Sequence, residues 1–169
     1  MSSVRFEELG IDDQARLAAV LALNNAAVPA TSELDESSLT RLVAMCQFAI
    51  VVMMEDDSVG GFCLTFLPDA DYASLNYRWF AERYELFSYL DRIVVREDLR
   101  NGGLGAAIYA ELERRMAGVV PWLFCEVNVK PLNAASLRFH HRIGFVEVGQ
   151  QDTERGTKRV SLLAKRLQP

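Results

Sequence analysis

The sequence predicts an α+β protein in which a mixed, mainly antiparallel β-sheet is flanked by helices. Three observations support this prediction. The length of 169 residues suits one domain, so we expect residues 1–169 to form a single domain. Half of the residues are hydrophobic and 24% are charged, which is the composition of a globular protein with a substantial core. The apolar periodicity gives the order β-α-α-β-β-β-α-β-α-β-β, an antiparallel meander followed by one strand-helix-strand crossover.

The first third of the chain is predicted to hold one strand and two helices. Asp12 is a favourable N-cap residue, and Leu17, Val20 and Leu21 follow it at helical spacing. This helix ends before Pro29, which cannot continue it. The predicted segments are a strand over residues 4–9, a helix from residue 12 to about 25 and a helix from residue 37 or 38 to about 46.

After residue 47 the apolar period changes from that of a helix to that of a strand. Residues 48–54 and 59–67 are apolar and flank an acidic turn over residues 55–58, a pattern that predicts a β-hairpin. Residues 68–84 are polar and aromatic, and we interpret them as a loop that can include one short helical turn.

The second half of the chain alternates between strands and helices. Leu104, Ile108, Leu112 and Met116 recur at a spacing of four residues, and Gly144 stands at the C-terminal cap position of a later helix. The predicted segments are strand 86–95, helix 103–116, strand 121–129, helix 133–142 and strands 145–149 and 159–167.

The charge balance excludes some classes of partner. The net charge of −5 argues against bulk binding to nucleic acid, which needs clustered Lys and Arg. No segment approaches the length of a membrane span, and the N-terminus has no apolar signal region. Cys46, Cys63 and Cys125 are odd in number and lie in apolar surroundings, so we interpret them as reduced, buried thiols. We therefore expect a cytoplasmic protein without nucleic-acid or membrane partners.

The segment Leu90–Gly105 carries the sharpest chemical signal in the sequence. A strand leads through a glycine-rich turn into a helix, which exposes backbone N–H groups at the positive end of the helix dipole. Gly102 and Gly103 allow a phosphate to approach the backbone closely, and Arg100 adds a cation. This pattern predicts a pyrophosphate site, although glycines that only permit a tight turn remain an alternative.

Two other phosphate-binding patterns fit this turn less well. A dinucleotide fingerprint needs a small residue where Ile108 stands, and a P-loop needs a Gly-Lys-Ser/Thr sequence that the chain does not contain.

The pattern Arg100-x-x-Gly103-x-Gly105 resembles the acetyl-CoA motif of the GNAT superfamily of acyltransferases, whose core is Arg/Gln-x-x-Gly-x-Gly/Ala. In that family the turn amides hold the pyrophosphate of CoA, and the preceding strand pairs with the pantetheine arm. The resemblance implies acetyl-CoA as co-substrate, no metal, and these cofactor-binding residues: Ile93, Val94, Val95, Arg100, Asn101, Gly102, Gly103, Leu104 and Gly105.

A second motif in the same order strengthens this resemblance. Residues 133–145 resemble the GNAT pattern Asn-x-x-Ser-x-x-Phe-Tyr-x-x-x-Gly-Phe, and they follow a strand that contains Glu126 and Asn128. The resemblance implies that Asn128, Asn133 and Ser136 contact CoA. The phrase from Ala22 to Pro29 also looks similar to a bacterial subgroup of predicted acetyltransferases.

The chain departs from the second motif at one position of chemical interest. His140 stands where the family has a Tyr, whose hydroxyl is proposed to protonate the departing CoA thiolate. Imidazole can also donate a proton, with an unperturbed pKa near 6.5. His140 is therefore either a general acid or a residue that only packs and hydrogen-bonds in the slot. Adjacent His140 and His141 point about 100° apart on a helix, so they predict no metal site.

Acyl transfer to an amine also needs a base and oxyanion donors. Backbone N–H groups near Val94 and Val95 are the candidate donors. Asp91, on the strand that leads to the turn, and Glu126, on the next strand, are the candidate bases. For both carboxylates an exposed or ion-paired structural role is the alternative.

The acceptor site is expected to come from the N-terminal helices and the loop after the hairpin. Amide and aromatic groups commonly line such pockets, although the aromatic residues could equally belong to the core. The candidates are Asn24, Asn25, Glu33, Asp35, Tyr77, Trp79 and Phe80.

The combined signals favour an enzyme that acetylates a primary amine of a small molecule or a peptide. The alternative is a non-catalytic acyl-CoA-binding regulatory module, which the Tyr-to-His difference leaves open. The family resemblance also implies that a homodimer is possible.

Overall fold

The seven strands of the computed structural model, which describes residues 4–168, belong to one mixed sheet. The strands are β1 Arg5–Glu8, β2 Phe48–Met53, β3 Val59–Phe66, β4 Ser88–Val95, β5 Trp122–Lys130, β6 Val146–Thr153 and β7 Lys158–Arg166. The α-helices in these residues are α1 Gln14–Ala26, α2 Glu36–Met45, α3 Leu75–Ala81, α4 Leu104–Met116 and α5 Ala134–Arg142.

The strand order is β1-β2-β3-β4-β5-β7-β6. The pairs β1–β2, β2–β3, β5–β7 and β6–β7 are antiparallel, whereas β4 and β5 are parallel. Parallel neighbours need a crossover, and α4 lies between these two strands in the chain. The α+β class, the mainly antiparallel mixed sheet and the single-domain fold that the sequence predicts are thereby confirmed.

The strand predicted over residues 145–149 extends to Thr153. Two further differences from the sequence interpretation concern helices. The cap of α1 is Asp13 and not Asp12, because the Asp13 side chain accepts from the backbone N–H of Arg16 at 3.1 Å. The structure also has the helix α3 within residues 68–84, where the sequence suggested a loop with at most one helical turn.

The helix α3 forms because it is capped at one end and buried along one face. Ser74 caps the helix by accepting a hydrogen bond from the backbone N–H of Tyr77. Tyr77 and Phe80, three positions apart, are buried, and their burial stabilises a helix too short to be stable alone.

Within this fold the chain divides into two compact units. The first contains the residues up to Phe66 and Arg92–Arg115, and the second contains Leu67–Asp91 and the residues from Met116 onward. The strand β4 changes unit after Asp91.

The core of the first unit lies where α1 and α2 pack on β3. Strands β2 and β3 are buried along nearly their whole length, so both read as continuous apolar runs. The helix α1 buries Leu17, Val20 and Asn24, which share one helical face.

The core of the second unit is aromatic and centres on Phe124 of β5. Its ring stacks on that of Phe80 at a centroid distance of 4.4 Å and an interplanar angle of 8°. Tyr84, Phe87 and Trp122 also contact it, with centroid distances of 4.5, 5.2 and 6.0 Å. Packing of this kind, worth about 0.5–1.5 kcal/mol per ring pair beyond area burial, holds α3 against the sheet.

The helix α4 carries a shielded ion-pair cluster. Glu111 accepts hydrogen bonds from Arg114 at 2.8 and 2.9 Å and from Arg115 at 2.7 Å. The side chains of Glu111 and Arg115 are only 13% and 17% exposed. The hydrogen bonds from Arg114 and then Arg115 lower the pKa of Glu111 to about 2.

We expect Glu111→Gln to lower the free energy of unfolding at pH 7 by about 1–2 kcal/mol, because Arg115 loses its charged acceptor in a shielded position. The pKa of Glu111 in the folded state lies below the value of about 4.3 in an unfolded chain. The contribution is therefore complete above that value and is lost as the pH falls toward 2. Urea unfolding at pH 7 and pH 2.5 measures it, with the exposed Glu85→Gln as control. A deficit of equal size at both pH values would contradict this electrostatic account.

Candidate functional site

The glycine-rich turn lies in the first unit, between β4 and α4. A short 3-10 helix over Glu97–Leu99 follows the strand, and the turn then reaches α4 at Leu104. Asn101 and Gly103 adopt left-handed backbone conformations, with φ of 64° and 87°. Residues 100–103 are exposed, and the N–H groups in the first turn of α4 have no acceptor within the helix.

The approach to this turn is anchored on the hairpin formed by β2 and β3. Arg96 donates to Asp98 at 2.7 and 3.1 Å, and it also donates to Ser58 Oγ at 2.9 Å and to the carbonyl of Val59 at 3.2 Å. Gly61 allows β3 and β4 to approach each other closely, because a Cβ at this position would lie 2.7 Å from the carbonyl oxygen of Val94. The hairpin therefore supports the segment that leads into the turn.

The backbone of β4 presents its polar groups alternately to two sides. The carbonyl of Val94 faces Gly61 of β3, and the amide of Arg96 donates to the carbonyl of Gly60 at 2.9 Å. Successive residues of a strand point their backbone groups in opposite directions, so those of Ile93 and Val95 point away from β3. Consistent with this, the Val95 carbonyl accepts a hydrogen bond from Arg100 Nε at 3.3 Å.

The second unit holds the two candidate carboxylates, each bonded to a tyrosine hydroxyl. Glu126 on β5 accepts from the Tyr89 hydroxyl at 2.7 and 2.8 Å and from Asn76 Nδ2 at 3.2 Å. Asp91 accepts from the Tyr72 hydroxyl at 2.6 Å. Burial, followed by the charges of Glu126 and Asp91, raises the pKa of Tyr89 well above its usual value, so its hydroxyl remains a donor.

A chain of amides extends this network to β6. Gln151 Nε2 donates to Asn76 Oδ1 at 2.8 Å, and Asn76 in turn donates to Glu126. The parallel ladder between β4 and β5 pairs Ser88 with Leu123 and Tyr89 with Phe124. Asp91 and Glu126 each follow the last of these pairs by two residues, so they occupy equivalent positions on the two strands.

The helix α5 carries the residues of the second motif. Asn133 is its N-cap, and its side-chain oxygen accepts from the backbone N–H of Ser136 at 3.1 Å. The preceding strand bonds to the same point, because the Asn128 carbonyl accepts from the Asn133 amide at 2.9 Å. The motif Asn and Ser thus determine where the helix begins.

His140 is 5% exposed and lies one turn further along α5. Its Nδ1 is 2.7 Å from the carbonyl oxygen of Ser136 and 3.3 Å from Ser136 Oγ. The rings of Phe139 and Phe145 contact the imidazole edge-on at centroid distances of 5.3 and 5.4 Å. Burial lowers the pKa of His140, although the bond to the Ser136 carbonyl opposes this effect.

The sequence-predicted acceptor residues have structural partners. Asn24 is fully buried, and its amide contacts Arg92, Asn25 and the Ser32 carbonyl at 2.9 Å. Asn25 donates to and accepts from the backbone of Leu34 at 2.9 and 3.0 Å. Both asparagines therefore hold the loop between α1 and α2.

The two aromatic candidates also have structural partners. Tyr77 is 3% exposed, and its hydroxyl donates to the Leu67 carbonyl at 2.5 Å and accepts from the Ala70 amide at 3.0 Å. Trp79 lies against Gly149, where a Cβ would be 2.8 Å from the indole, and Arg83 covers its ring at 4.1 Å. The Tyr77 hydroxyl is therefore bonded to backbone groups, and the Arg83 guanidinium covers one face of the Trp79 indole.

Sequence reasoning missed the partners of the two candidate carboxylates. Tyr89 shares a strand face with Asp91 at a spacing of two, which was a usable signal. Tyr72, Asn76 and Gln151 come from three separate segments, and no spacing links them to the carboxylates that they support. Within residues 4–168 no group of three or more His, Cys, Asp or Glu side chains is placed to hold a metal ion.

The same described residues include no helix long and apolar enough to cross a membrane. Cys46, Cys63 and Cys125 form no disulfide with one another, and Cys46 is half-buried where the sequence suggested full burial.

Solved acetyltransferase structures share the fold. The ribosomal-protein-S18-alanine N-acetyltransferase of Escherichia coli is 19% identical, with a TM-score of 0.69 over 99% of this chain and 96% of that chain. An acetyltransferase of the GNAT family from Streptococcus pneumoniae is 18% identical, with a TM-score of 0.70 over 98% and 99%. An N-acetyltransferase from Staphylococcus aureus Mu50 is 17% identical, with a TM-score of 0.71 over 99% and 100%.

No curated protein matches this chain in sequence. The model of the acetyltransferase (GNAT) family, however, matches residues 20–145, which include both sequence motifs and three quarters of the chain. The chain therefore belongs to the GNAT acetyltransferase family.

Proposed function

We propose that the protein is an acetyl-CoA-dependent N-acetyltransferase whose acceptor is a primary amine of a small molecule or a peptide. The observation that carries the proposal is the exposed turn over residues 100–103, with left-handed Asn101 and Gly103, at the start of α4. Acetyl-CoA supplies an activated acyl group as a thioester. The net charge of −5 supports an enzyme without a nucleic-acid partner, and the three unbridged cysteines fit the cytoplasmic location that we propose for it.

The turn residues fit an acyl-CoA pyrophosphate. A Cβ added at Gly103 would meet no described atom within 4 Å, so the space above this residue is open. The backbone N–H groups of the first turn of α4 are donors without an acceptor in the helix, and Arg100 precedes them by a few residues in the sequence. We assign pyrophosphate binding to Arg100–Gly105, and CoA contacts to Asn128, Asn133 and Ser136 by the family resemblance.

The direction of the β4 backbone refines the assignment of oxyanion donors. The backbone of Val94 faces β3, whereas the groups of Ile93 and Val95 face away from it. We therefore assign the oxyanion donor to the Val95 amide in preference to that of Val94, and pantetheine pairing to Ile93 and Val95.

The hydrogen bonds around Glu126 support it as the general base. The Tyr89 hydroxyl and Asn76 amide both donate to it, which favours the ionised carboxylate that a base requires. Asp91 accepts a tyrosine hydrogen bond of this kind from Tyr72 and is the second candidate. In this assignment Glu126 takes a proton from the attacking amine, directly or through a water molecule.

We propose structural roles for four of the predicted acceptor residues. The side-chain amides of Asn24 and Asn25 are hydrogen-bonded to Arg92 and to the loop after α1. We therefore assign both residues to the positioning of that loop. We likewise assign Tyr77 and Trp79 a structural role, which is to position α3.

The direct test of the function is thiol release from acetyl-CoA in the presence of a panel of amines, beside calorimetric binding of CoA. Release with one class of amine would support the enzyme. Binding of CoA without release for any amine would favour the acyl-CoA-binding regulatory module.

We expect Gly103→Trp to weaken CoA binding by at least about tenfold, which corresponds to roughly 1.4 kcal/mol, because its indole fills the open space above the turn. Gly118→Trp is a matched control, since Gly118 follows α4, has a φ of 71° and is equally open. Both variants carry similar backbone strain, so only Gly103→Trp should change the dissociation constant measured by calorimetry. Equal losses in the two variants would refute the pyrophosphate assignment.

We expect Glu126→Gln to lower kcat by on the order of 10²–10⁴, the usual contribution of a general base, with little change in the KM for acetyl-CoA. Asp91→Asn should have a smaller effect, and the exposed Glu82→Gln serves as the neutral control. Steady-state thiol release measures all three variants. A larger loss in Asp91→Asn than in Glu126→Gln would transfer the base assignment to Asp91.

We expect Asn24→Ala to lower the free energy of unfolding by about 1–3 kcal/mol, because buried Arg92 and the loop lose a hydrogen-bonding partner. Ser32→Ala, which removes only the 3.3 Å contact with Arg92, should cost less. Urea denaturation compares the two. If Asn24→Ala left stability unchanged but raised the KM for the acceptor, Asn24 would return to the acceptor site.

A further inference from the structure

We propose that Gln151, on the edge strand β6, is a positioning residue for Glu126 and acts by fixing the side-chain amide of Asn76. The structural part of this inference concerns the protein alone. Its catalytic part rests on the proposed acetyltransferase function and on Glu126 as the general base. The residues that carry it all lie in the second compact unit.

The hydrogen bonds in this chain of side chains have a defined direction. An ionised carboxylate can only accept, so Asn76 must turn its NH2 group toward Glu126, and Nδ2 lies 3.2 Å from Oε1. The carbonyl oxygen of the same amide then faces β6, where Gln151 Nε2 donates to it at 2.8 Å. Gln151 therefore stabilises the orientation of the Asn76 amide that donates to Glu126.

A rotation of the Asn76 amide by 180° would be unfavourable at both of its ends. Its carbonyl oxygen would face the carboxylate of Glu126, and its NH2 group would face the NH2 group of Gln151. The oxygen and nitrogen of an amide are similar in size, so packing alone does not choose between the two orientations. Loss of the Gln151 donor removes one of the two interactions that make this choice.

Gln151 reaches Asn76 because β6 contacts α3 at two points with matched spacing. Gly149 and Gln151 are two residues apart and share one face of the strand, while Asn76 and Trp79 are three residues apart and share one face of the helix. Trp79 lies against Gly149, where a Cβ would be 2.8 Å from the indole. The second contact is the hydrogen bond between Gln151 and Asn76.

The strand β7 fixes β6 from its other edge. Gln151 pairs with Val160 and Asp152 with Arg159 in the antiparallel ladder, and Arg159 donates to Asp152 at 2.6 and 3.1 Å. Gln150 and Asp152 are exposed, whereas Gln151 is half-buried, as the two-residue alternation of a strand requires. The ladder therefore holds the Gln151 side chain on the face that α3 covers.

This support matters for the proposed chemistry, because a base must lie within hydrogen-bond reach of the proton that it takes. The Tyr89 hydroxyl contacts both oxygens of Glu126, and Asn76 adds a donor at Oε1. Gln151 acts only through Asn76 and donates to no oxygen of the carboxylate itself. Its loss should therefore lower kcat without weakening the binding of acetyl-CoA.

Exchange of the Asn76 Nδ2 protons with water tests the structural part without any turnover. In ¹⁵N-labelled protein these signals are assigned by their loss in Asn76→Ala. They should exchange about three- to tenfold faster in Gln151→Met, which removes the donor at similar volume, because a net hydrogen bond is lost. The near-isosteric Gln151→Glu, whose ionised carboxylate cannot donate, should give the same result and serves if Gln151→Met does not fold.

Gln150→Met is the matched control, because Gln150 is exposed on the opposite face of β6 and bonds to Glu147. It should leave the exchange of the Asn76 protons unchanged. Equal exchange rates in Gln151→Met, Gln151→Glu and the wild type would overturn the proposal. This result is independent of activity, so absence of thiol release with every amine would refute the proposed function alone.

A double-mutant cycle tests the catalytic part. We expect Gln151→Met to lower kcat by about tenfold, below the roughly 10²-fold cost of a misplacement of about 1 Å, with little change in the KM for acetyl-CoA. Gln151→Lys, whose ammonium can donate to the Asn76 carbonyl, should recover most of this loss. In Glu126→Gln, Gln151→Met should have no further effect, because the carboxylate that it positions is absent. An equal loss in both backgrounds, or a kcat equal to that of Gln150→Met, would overturn the positioning role.

Discussion

The two-residue alternation of β4 is the constraint on which most of the candidate site depends. Side chains of a strand alternate between the faces of the sheet, while their backbone groups alternate between its two edges. On one face β4 carries Tyr89, which donates to the candidate carboxylate Glu126, and Asp91, which is the other candidate carboxylate. Between them, and after them, lie Leu90 and Arg92, which are buried, and Arg92 anchors the loop after α1.

The same alternation explains why one strand can serve several tasks at once. The backbone of Val94 is used to hold β3, which leaves that of Val95 directed to the other side and close to the turn. A shift of one residue in the register of β4 would exchange all of these roles together. The packing at Gly61, which admits no Cβ, opposes such a shift.

The sequence was sufficient for the order of the strands and the four longer helices and for the class of the fold, because periodicity reports burial directly. It failed at α3, whose seven residues bury only two aromatic side chains and whose stability comes from Phe124 and its neighbours in the aromatic core. The turn before α4 could be recognised because all its parts are adjacent in the chain. The network around Glu126 could not be recognised, because its members are far apart in the chain. Asn76 lies 50 residues before Glu126, and Gln151 lies 75 residues after Asn76. The contacts of His140 within α5 needed a distance, which no sequence pattern contains; the cofactor contacts remain predictions.

The hydroxyl of Tyr77 has a consequence for how this protein could diversify. The hydroxyl donates to the Leu67 carbonyl and accepts from the Ala70 amide, so it fixes the start of the segment before α3 to that helix. The helix is itself held by ring contacts in the aromatic core. Between this bond and the cap at Ser74, Tyr72 holds Asp91 through its hydroxyl, whereas Asp71 and Ala73 are exposed. Substitutions of Asp71 and Ala73 would alter the chemistry displayed at this edge while the helix and its Asn76 stay in place. These two positions allow the surface to vary without rebuilding the part that holds the carboxylates.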